Sequence, residues 1–201
     1  MAALDKKRLF APSKAPCATC GRPTLPFFKG NAGHFLCMNC WRIEKSKTDP
    51  YFGLNDRLIE QVCHSDAGFD GLTADEKTVF AIRELVMEVL NGGFHQYFYN
   101  SSGERYATTE AALERLDEPE ALGLLKQARQ ALFPTGAIPS DCAERRRMIP
   151  YAHEEPGSKF SDLSKEEGSR FAEISDALDS RLMQFAKDAG LAASGSHPNK
   201  W

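Results

Sequence analysis

The 201-residue chain contains no long apolar run. A helix that crosses a membrane needs about 18 or more such residues in succession, so none is expected. The opening MAALDKKRLF carries charges where a secretory signal would have its apolar core, so no such signal is expected there. Three catalytic signatures are also missing: the phosphate loop ending in Gly-Lys-Ser/Thr, the dinucleotide Gly-x-Gly-x-x-Gly, and the Gly-x-Ser-x-Gly elbow. His153-Glu154 begins like a metalloprotease motif, but position 157 is Gly instead of the second His. A nucleophile–base pair from Cys142 and His153 has no supporting pattern around it. No internal repeat is visible, and strand-type alternation is scarce outside one cysteine-bearing stretch. These absences favour a cytoplasmic, non-catalytic protein. In a reducing cytosol, paired cysteines read as metal ligands before disulfides.

What is present suits a soluble protein with a real core, 42% hydrophobic and 26% charged. The net charge of −3 hides an asymmetry: residues 1–65 carry +5 and residues 66–191 carry −9. A basic front and an acidic body suggest two modules with different electrostatic partners.

The organisation expected from the pattern is a flexible leader (1–16), a four-cysteine module (17–47), a connecting helix and linker (48–72), an acidic helical domain (73–190) and a disordered tail (191–201). Asp49-Pro50 reads as a turn, and Leu54, Leu58 and Val62 mark a helix from Leu54 to Ser65. Thr73-x-x-Glu76 is a capping box opening a helix whose inner face is Val79, Ile82, Val86 and Val89; Gly92-Gly93 is expected to end it. The aromatics Phe94, Tyr97 and Phe98 then fill the core. Thr109-Glu110 opens a short helix through Leu116. Asp117-x-x-Glu120, with Pro119 in the first turn, opens another carrying Leu122, Leu125, Ala128 and Leu132. Ser140 to Met148 is a further short helix. Ser164-x-x-Glu167 is expected to cap a last long helix, with Phe171, Ile174, Leu178, Leu182 and Phe185 inward and a stop at Gly190. The fold class is therefore mainly α: a small treble-clef-like finger followed by an all-helical domain.

Four of the six cysteines form two Cys-x-x-Cys pairs, Cys17/Cys20 and Cys37/Cys40. Two such knuckles bring four thiolates to one tetrahedral zinc ion. Zinc binding supplies folding free energy that so short a segment cannot draw from its own core. All four ligands come from protein, so this is a structural site with no open position for hydrolysis. His34 is surplus to the ligand set, and Cys63 and Cys142 stand alone.

Pro26-Phe27-Phe28-Lys29 and Gly33-His34-Phe35-Leu36-Cys37, lying between and at the cysteine pairs, resemble the corresponding segments of the GATA-type zinc finger, with a loop one residue shorter. The resemblance covers residues 17–47. It implies a treble clef whose helix enters the DNA major groove, with Lys29, Met38, Asn39, Arg42 and Lys45 on the contact surface. Met38 and Arg42 replace the family's usual Asn and Leu, and Trp41 replaces a Gly. The basic tail is cut short after Lys45 and Lys47. Because phosphate contacts supply much of the affinity of such proteins, the finger is read as a docking module for nucleic acid or a protein.

Asn91-Gly92-Gly93-Phe94-His95-Gln96-Tyr97-Phe98-Tyr99-Asn100 resembles the signature of a bacterial DNA-mimic protein family largely of unknown function. That resemblance covers residues 73–190. It implies an all-helical domain that presents carboxylates in place of DNA phosphates to a basic, DNA-binding protein. The sequence offers acids for such a surface: Glu84, Glu88, Glu110, Glu114, Asp117, Glu118, Glu173, Asp176 and Asp179. Several stand at i, i+3 or i, i+4, where like charges oppose helix formation. The run Arg145-Arg146-Arg147 interrupts a uniformly negative surface. An immunity- or adaptor-type binding module without mimicry is the alternative, and a homodimer remains open.

Overall fold

The computed structural model describes residues 14–25, 27–134, 136–149 and 159–192, with only the backbone described over 159–166. The expected leader up to residue 13, Pro26, His153-Glu154 and the tail from residue 193 lie outside the described residues. The chain divides into two compact units, one ending at Asp56 and the other spanning Arg57–Ala192.

In the first unit, β1 (Ala15–Pro16) pairs antiparallel with β2 (Pro23–Thr24), and β3 (Phe28–Lys29) pairs antiparallel with β4 (Phe35–Leu36). Ala15 and Pro16 thus belong to a hairpin. Two-residue strands have no stability of their own. Their turns are closed by Gly21 at φ +73° and Gly33 at φ +80°, conformations that favour glycine. Helix α1 (Met38–Thr48) follows β4 directly. Beneath it Leu36 is fully buried, and the Trp41 ring lies 5.1 Å from Phe28 and 5.4 Å from Phe52. Trp41, which stands where the resembled family has a Gly, is thus part of this small core.

Helix α2 (Pro50–His64) begins four residues before the expected Leu54. The Asp-Pro pair is both a turn and a helix start. The Asp49 carboxylate accepts from the backbone N–H groups of Tyr51 and Phe52, each at 3.0 Å, and Pro50 takes the first helical position, where its missing N–H costs nothing.

The second unit is all-helical. Its central element is α3 (Ala74–Tyr99), followed by a 3-10 turn (Ser101–Arg105), α4 (Tyr106–Arg115), α5 (Pro119–Leu132), α6 (Cys142–Met148) and α7 (Lys159–Asp188). The capping box at Thr73 forms in both directions: the hydroxyl accepts from Glu76 N–H at 3.3 Å, and the Glu76 carboxylate accepts from Thr73 N–H at 2.9 Å. Gly92-Gly93 breaks the helix but does not end the helical segment. Gly92 (φ −152°) and Gly93 (φ 72°, ψ −178°) leave helical geometry for two residues, and the chain resumes as helix to Tyr99. Gly93 occupies a region essentially confined to glycine. The kink turns Phe94, Tyr97 and Phe98 inward, and all three are buried.

Three further helix starts differ from expectation. Helix α4 begins at Tyr106, so Thr109 lies buried inside it and does not open it. Asp117 does not cap α5; it sits at φ 56° and closes α4. Glu118 N–H donates to Leu113 C=O at 3.0 Å and Asp117 N–H to Glu114 C=O at 3.1 Å, the paired bonds of a left-handed helix stop. Asp is one of the few side chains that tolerate this conformation. Helix α7 begins at Lys159, so Ser164 lies inside it and is no cap. A Ser-x-x-Glu spacing starts a helix only where the preceding backbone is not already helical. At the other end, Gly190 (φ +69°) stops α7 as expected.

The core of this unit is built from Val79, Ile82, Leu85 and Val89 of α3, Leu113 of α4, Leu124 and Leu125 of α5, and Phe171, Leu178 and Leu182 of α7. Phe94 meets Phe171 edge to face at 5.5 Å. Buried hydroxyls are satisfied: Tyr97 donates to Thr109 at 2.8 Å, and Ser102 donates to the Tyr97 carbonyl at 2.7 Å. Burial pushes the Tyr97 phenol well above its ordinary value, so it stays a donor at any working pH. Among the described residues, no helix is long and apolar enough to cross a membrane.

Candidate metal centre and acidic surface

The first hairpin and the start of α1 bring the two cysteine pairs together. Cys17 follows β1, and its N–H donates to Arg22 C=O at 2.8 Å; Gly21 N–H returns to Cys17 C=O at 2.9 Å, which folds Cys20 back beside it. Ala18 N–H donates to Phe35 C=O at 3.0 Å and ties this knuckle to β4. Cys37 occupies the N-cap position of α1, and Cys40 lies in its first turn. The Sγ atoms of Cys17, Cys20, Cys37 and Cys40 all lie within 4.8 Å of one another, and Cys20 and Cys37 are 3.7 Å apart. This cluster could hold a metal ion. Backbone N–H groups of Cys37 and Cys20 hold the Cys17 thiol down to about 6, whereas desolvation and the neighbouring thiols push Cys40 up to about 12. Four thiols so crowded cannot all ionise without a cation to share. His34 is exposed, and Cys63 and Cys142 belong to no metal-ligating group among the described residues.

The expected contact residues of the finger have unequal freedom. Met38 is 57% exposed, Asn39 is exposed, and Lys45 is partly exposed. Lys29 is exposed, with its ammonium 5.9 Å from the Phe35 ring centroid. Arg42 is engaged: its Nε donates to Asp56 Oδ1 at 2.8 Å, and Nη2 donates to the same oxygen. Glu44 accepts from the Asn31 backbone N–H, and Asp49 caps α2. Each acid of this unit after residue 13 is therefore committed to a local partner.

In the helical unit the nine acids expected on the mimic surface also separate into two groups. Arg105 grips Glu84 with both Nε, at 2.6 Å, and Nη2, and its guanidinium lies over the Phe69 and Phe80 rings. Glu88 accepts from Gln96 at 2.6 Å and Asn100 at 2.9 Å, so these polar members of the Gly-Gly-Phe segment brace the kink. Lys126 sits between Glu110 and Glu114 at 3.2 and 3.3 Å, which offsets their mutual repulsion. Glu118 pairs with Arg181 at 3.2 Å, and Asp179 with Arg83 at 2.8 Å. Asp117, Glu173 and Asp176 are exposed and have no cationic partner among the described residues.

A sequence-model match to the family described as DMP19-like protein covers residues 70–189. The chain belongs to the DMP19-like family. No curated protein and no solved structure matches the chain.

The DMP19-like unit contains one organising residue that the sequence pattern does not reveal. Arg145 is fully buried. Its Nε donates to Phe98 C=O (3.1 Å), Nη1 to Pro139 C=O (2.8 Å) and Ser140 C=O (2.7 Å), and Nη2 to Asn100 C=O (2.9 Å). It thus satisfies the orphan carbonyls where α3 ends and fastens α6 there. Arg146 lies over the Tyr99 ring at 4.7 Å and donates to the Tyr99 carbonyl at 3.0 Å. The three-arginine run therefore interrupts the negative surface less than its composition suggests. Carbonyl partners leave no trace in a sequence, so no signal marks Arg145. Gly103 is the nearest hint: a Cβ there would lie 2.8 Å from Phe98 O and 2.9 Å from Arg145 Nε.

Proposed function

We propose that this protein is a non-catalytic regulator. Its acidic helical domain takes the place of DNA on a basic, DNA-binding protein, and its four-cysteine module is a structural zinc finger that docks on a protein partner. The observation that carries the mimic reading is the separation of the acids within a family member. Of the nine acids the sequence offered, six are held by partners within the unit, while Asp117, at the stop of α4, and Glu173 and Asp176, on α7, stay exposed with no cationic partner among the described residues. Rigid, unpaired carboxylates meet the requirement for imitating phosphates, and their attraction to a basic groove falls as salt rises.

Zinc is supported by the donor set. Four thiolates around zinc at ~2.3 Å stand about 3.8 Å apart in a regular tetrahedron, close to the 3.7 Å between Cys20 and Cys37. The preference for protein over nucleic acid rests on Arg42, whose fork is occupied by Asp56, and on the exposed apolar side chains Phe27 (66%) and Met38 (57%). A base-reading or phosphate-holding arginine would need that fork free.

Gel-shift competition tests the mimic reading, using the full chain against a panel of nucleoid and regulator proteins bound to DNA. Displacement that weakens steeply with salt is expected, as is its loss in Asp117→Asn/Glu173→Gln/Asp176→Asn. No displacement from any panel member at low salt would sink it. A salt-insensitive partner that is not DNA-binding would favour the adaptor alternative.

A further inference from the structure

The register of α3 against α7 is set at both ends by short contacts. Arg83 reaches Asp179 at 2.8 Å, Phe94 meets Phe171 at 5.5 Å, and a Cβ on Gly168 would touch Gly93 Cα at 3.9 Å. The two helices are therefore antiparallel, and residues whose numbers add to roughly the same total lie side by side. One turn on from Arg83 comes Met87; one turn back from Asp179 comes Asp176. The next step brings Leu90 level with Ala172. On α3, Arg83, Met87 and Leu90 form one stripe at i, i+4, i+7.

This stripe is unusual in being apolar and open. Met87 is 61% exposed and Leu90 52% exposed, although the core face of the same helix is closed over. At the same levels of the register α7 carries the small residues Ser169 and Ala172 and the carboxylate of Asp176, all three exposed. Arg83 at one end is paired with Asp179, and the register puts Asp176 level with Met87 and Glu173 level with Leu90, both acids exposed and without a cationic partner among the described residues. The result is a shallow apolar strip with a negative rim on a rigid two-helix platform.

We propose that this strip is the docking face for a cationic amphipathic helix of the DNA-binding protein. The incoming helix would lay apolar side chains on Met87 and Leu90 and direct lysines or arginines to Glu173 and Asp176. The proposal rests on the mimic reading above and specifies where and how that contact is made. Charge complementarity selects the occupant. A second copy of this chain would bring the same carboxylates against the strip, and an anionic lipid surface would be repelled by them. Methionine suits such a face because its flexible thioether adapts to different apolar partners. Imitating phosphate with carboxylates alone supplies attraction with little register, whereas two apolar anchors fix where the partner sits.

The test uses the full-length zinc-loaded protein and two synthetic probe peptides of equal charge. One carries Leu and Lys at helical amphipathic spacing; the other is a scramble of it. The amphipathic peptide is expected to bind at least about tenfold more tightly than the scramble, with Met87→Ser/Leu90→Ser removing that advantage. Both positions are exposed, so the variant is expected to keep its helical circular dichroism. Glu173→Gln/Asp176→Asn is expected to flatten the salt dependence while preserving the preference for the amphipathic peptide. Equal binding of the two peptides, or an unchanged advantage in the serine variant, would overturn the proposal. So would a dimer in sedimentation that the serine variant abolishes, because the strip would then be a contact between copies. The mimic reading fails separately: if no DNA-bound protein is displaced while the amphipathic preference persists, the docking face stands and the mimicry does not.

Discussion

Arg42 Nε donates to Asp56 Oδ1 at 2.8 Å, joining α1 to α2 across the Asp49-Pro50 turn. The arginine at a base-contacting position of the resembled finger thus serves an internal contact. Asp56→Ala is expected to lower stability by about 0.5–1 kcal/mol, the range of a part-exposed ion pair. A double-mutant cycle with Arg42→Ala, read by urea denaturation, would isolate the coupling. If Asp56→Ala also turns a chain that does not bind duplex DNA into one that does, Asp56 is the residue that withholds Arg42 from DNA.

Removing the metal is expected to unfold the finger and spare the helical domain. The core of the four-cysteine unit is little more than Leu36, Phe28, Trp41 and Phe52, too small to stand without a cross-link of the kind a metal on the four cysteines would supply. With Trp201→Phe as background, Trp41 fluorescence is expected to shift red on chelation, while most far-ultraviolet helical signal persists. Cys20→Ser is expected to show the same state with less than one equivalent of bound zinc by mass spectrometry. A chelator that leaves Trp41 fluorescence unchanged would count against a structural metal.

Arg145→Met is expected to cost about 3–5 kcal/mol, because four backbone carbonyls would lose their donors in a buried setting. Arg145→Lys is not expected to rescue it, since one ammonium cannot replace a planar fork. Gly103→Ala is expected to destabilise through the same contact, its new methyl falling within 3 Å of Phe98 O and Arg145 Nε. Chemical denaturation measures all three.

Stability is expected to fall in acid partly through Glu76. Its burial pushes the carboxyl up, but the Thr73 backbone N–H and Arg57, 2.6 Å away, outweigh that and hold it below its ordinary 4.5. A depressed folded value means the stabilisation is complete above 4.5 and is lost as pH falls through the folded value. Glu76→Gln is expected to be less stable than the native chain at pH 7, by about 0.5–1 kcal/mol, because Gln can keep the capping bond but loses the negative charge beside Arg57 and at the helix N-terminus. It is also expected to show a shallower decline in stability below pH 4.5.

Much of this architecture was legible because it depends on local chemistry. The Cys-x-x-Cys spacing marked the four cysteines that cluster, Thr73 and Glu76 started α3 by hydrogen bonds three residues apart, and Gly190 stopped α7 because glycine alone takes that turn at no cost. Helical periodicity picked out Val79, Ile82, Phe171, Leu178 and Leu182 as core. Asp117 and Ser164 misled because the same short side chains suit helix stops, helix interiors and helix starts. The backbone around them decides which applies. What only the tertiary structure settled were relations between distant residues. Examples are Arg105 gripping Glu84, Asp179 neutralising Arg83, Asp56 occupying Arg42, and Arg145 reaching the carbonyls of Phe98 and Asn100. Hydrogen-bond patterns within a helix repeat with its period and so appear in sequence. Ion pairs and carbonyl contacts between elements depend on how helices cross, so which acids stay free emerges only after the chain has packed.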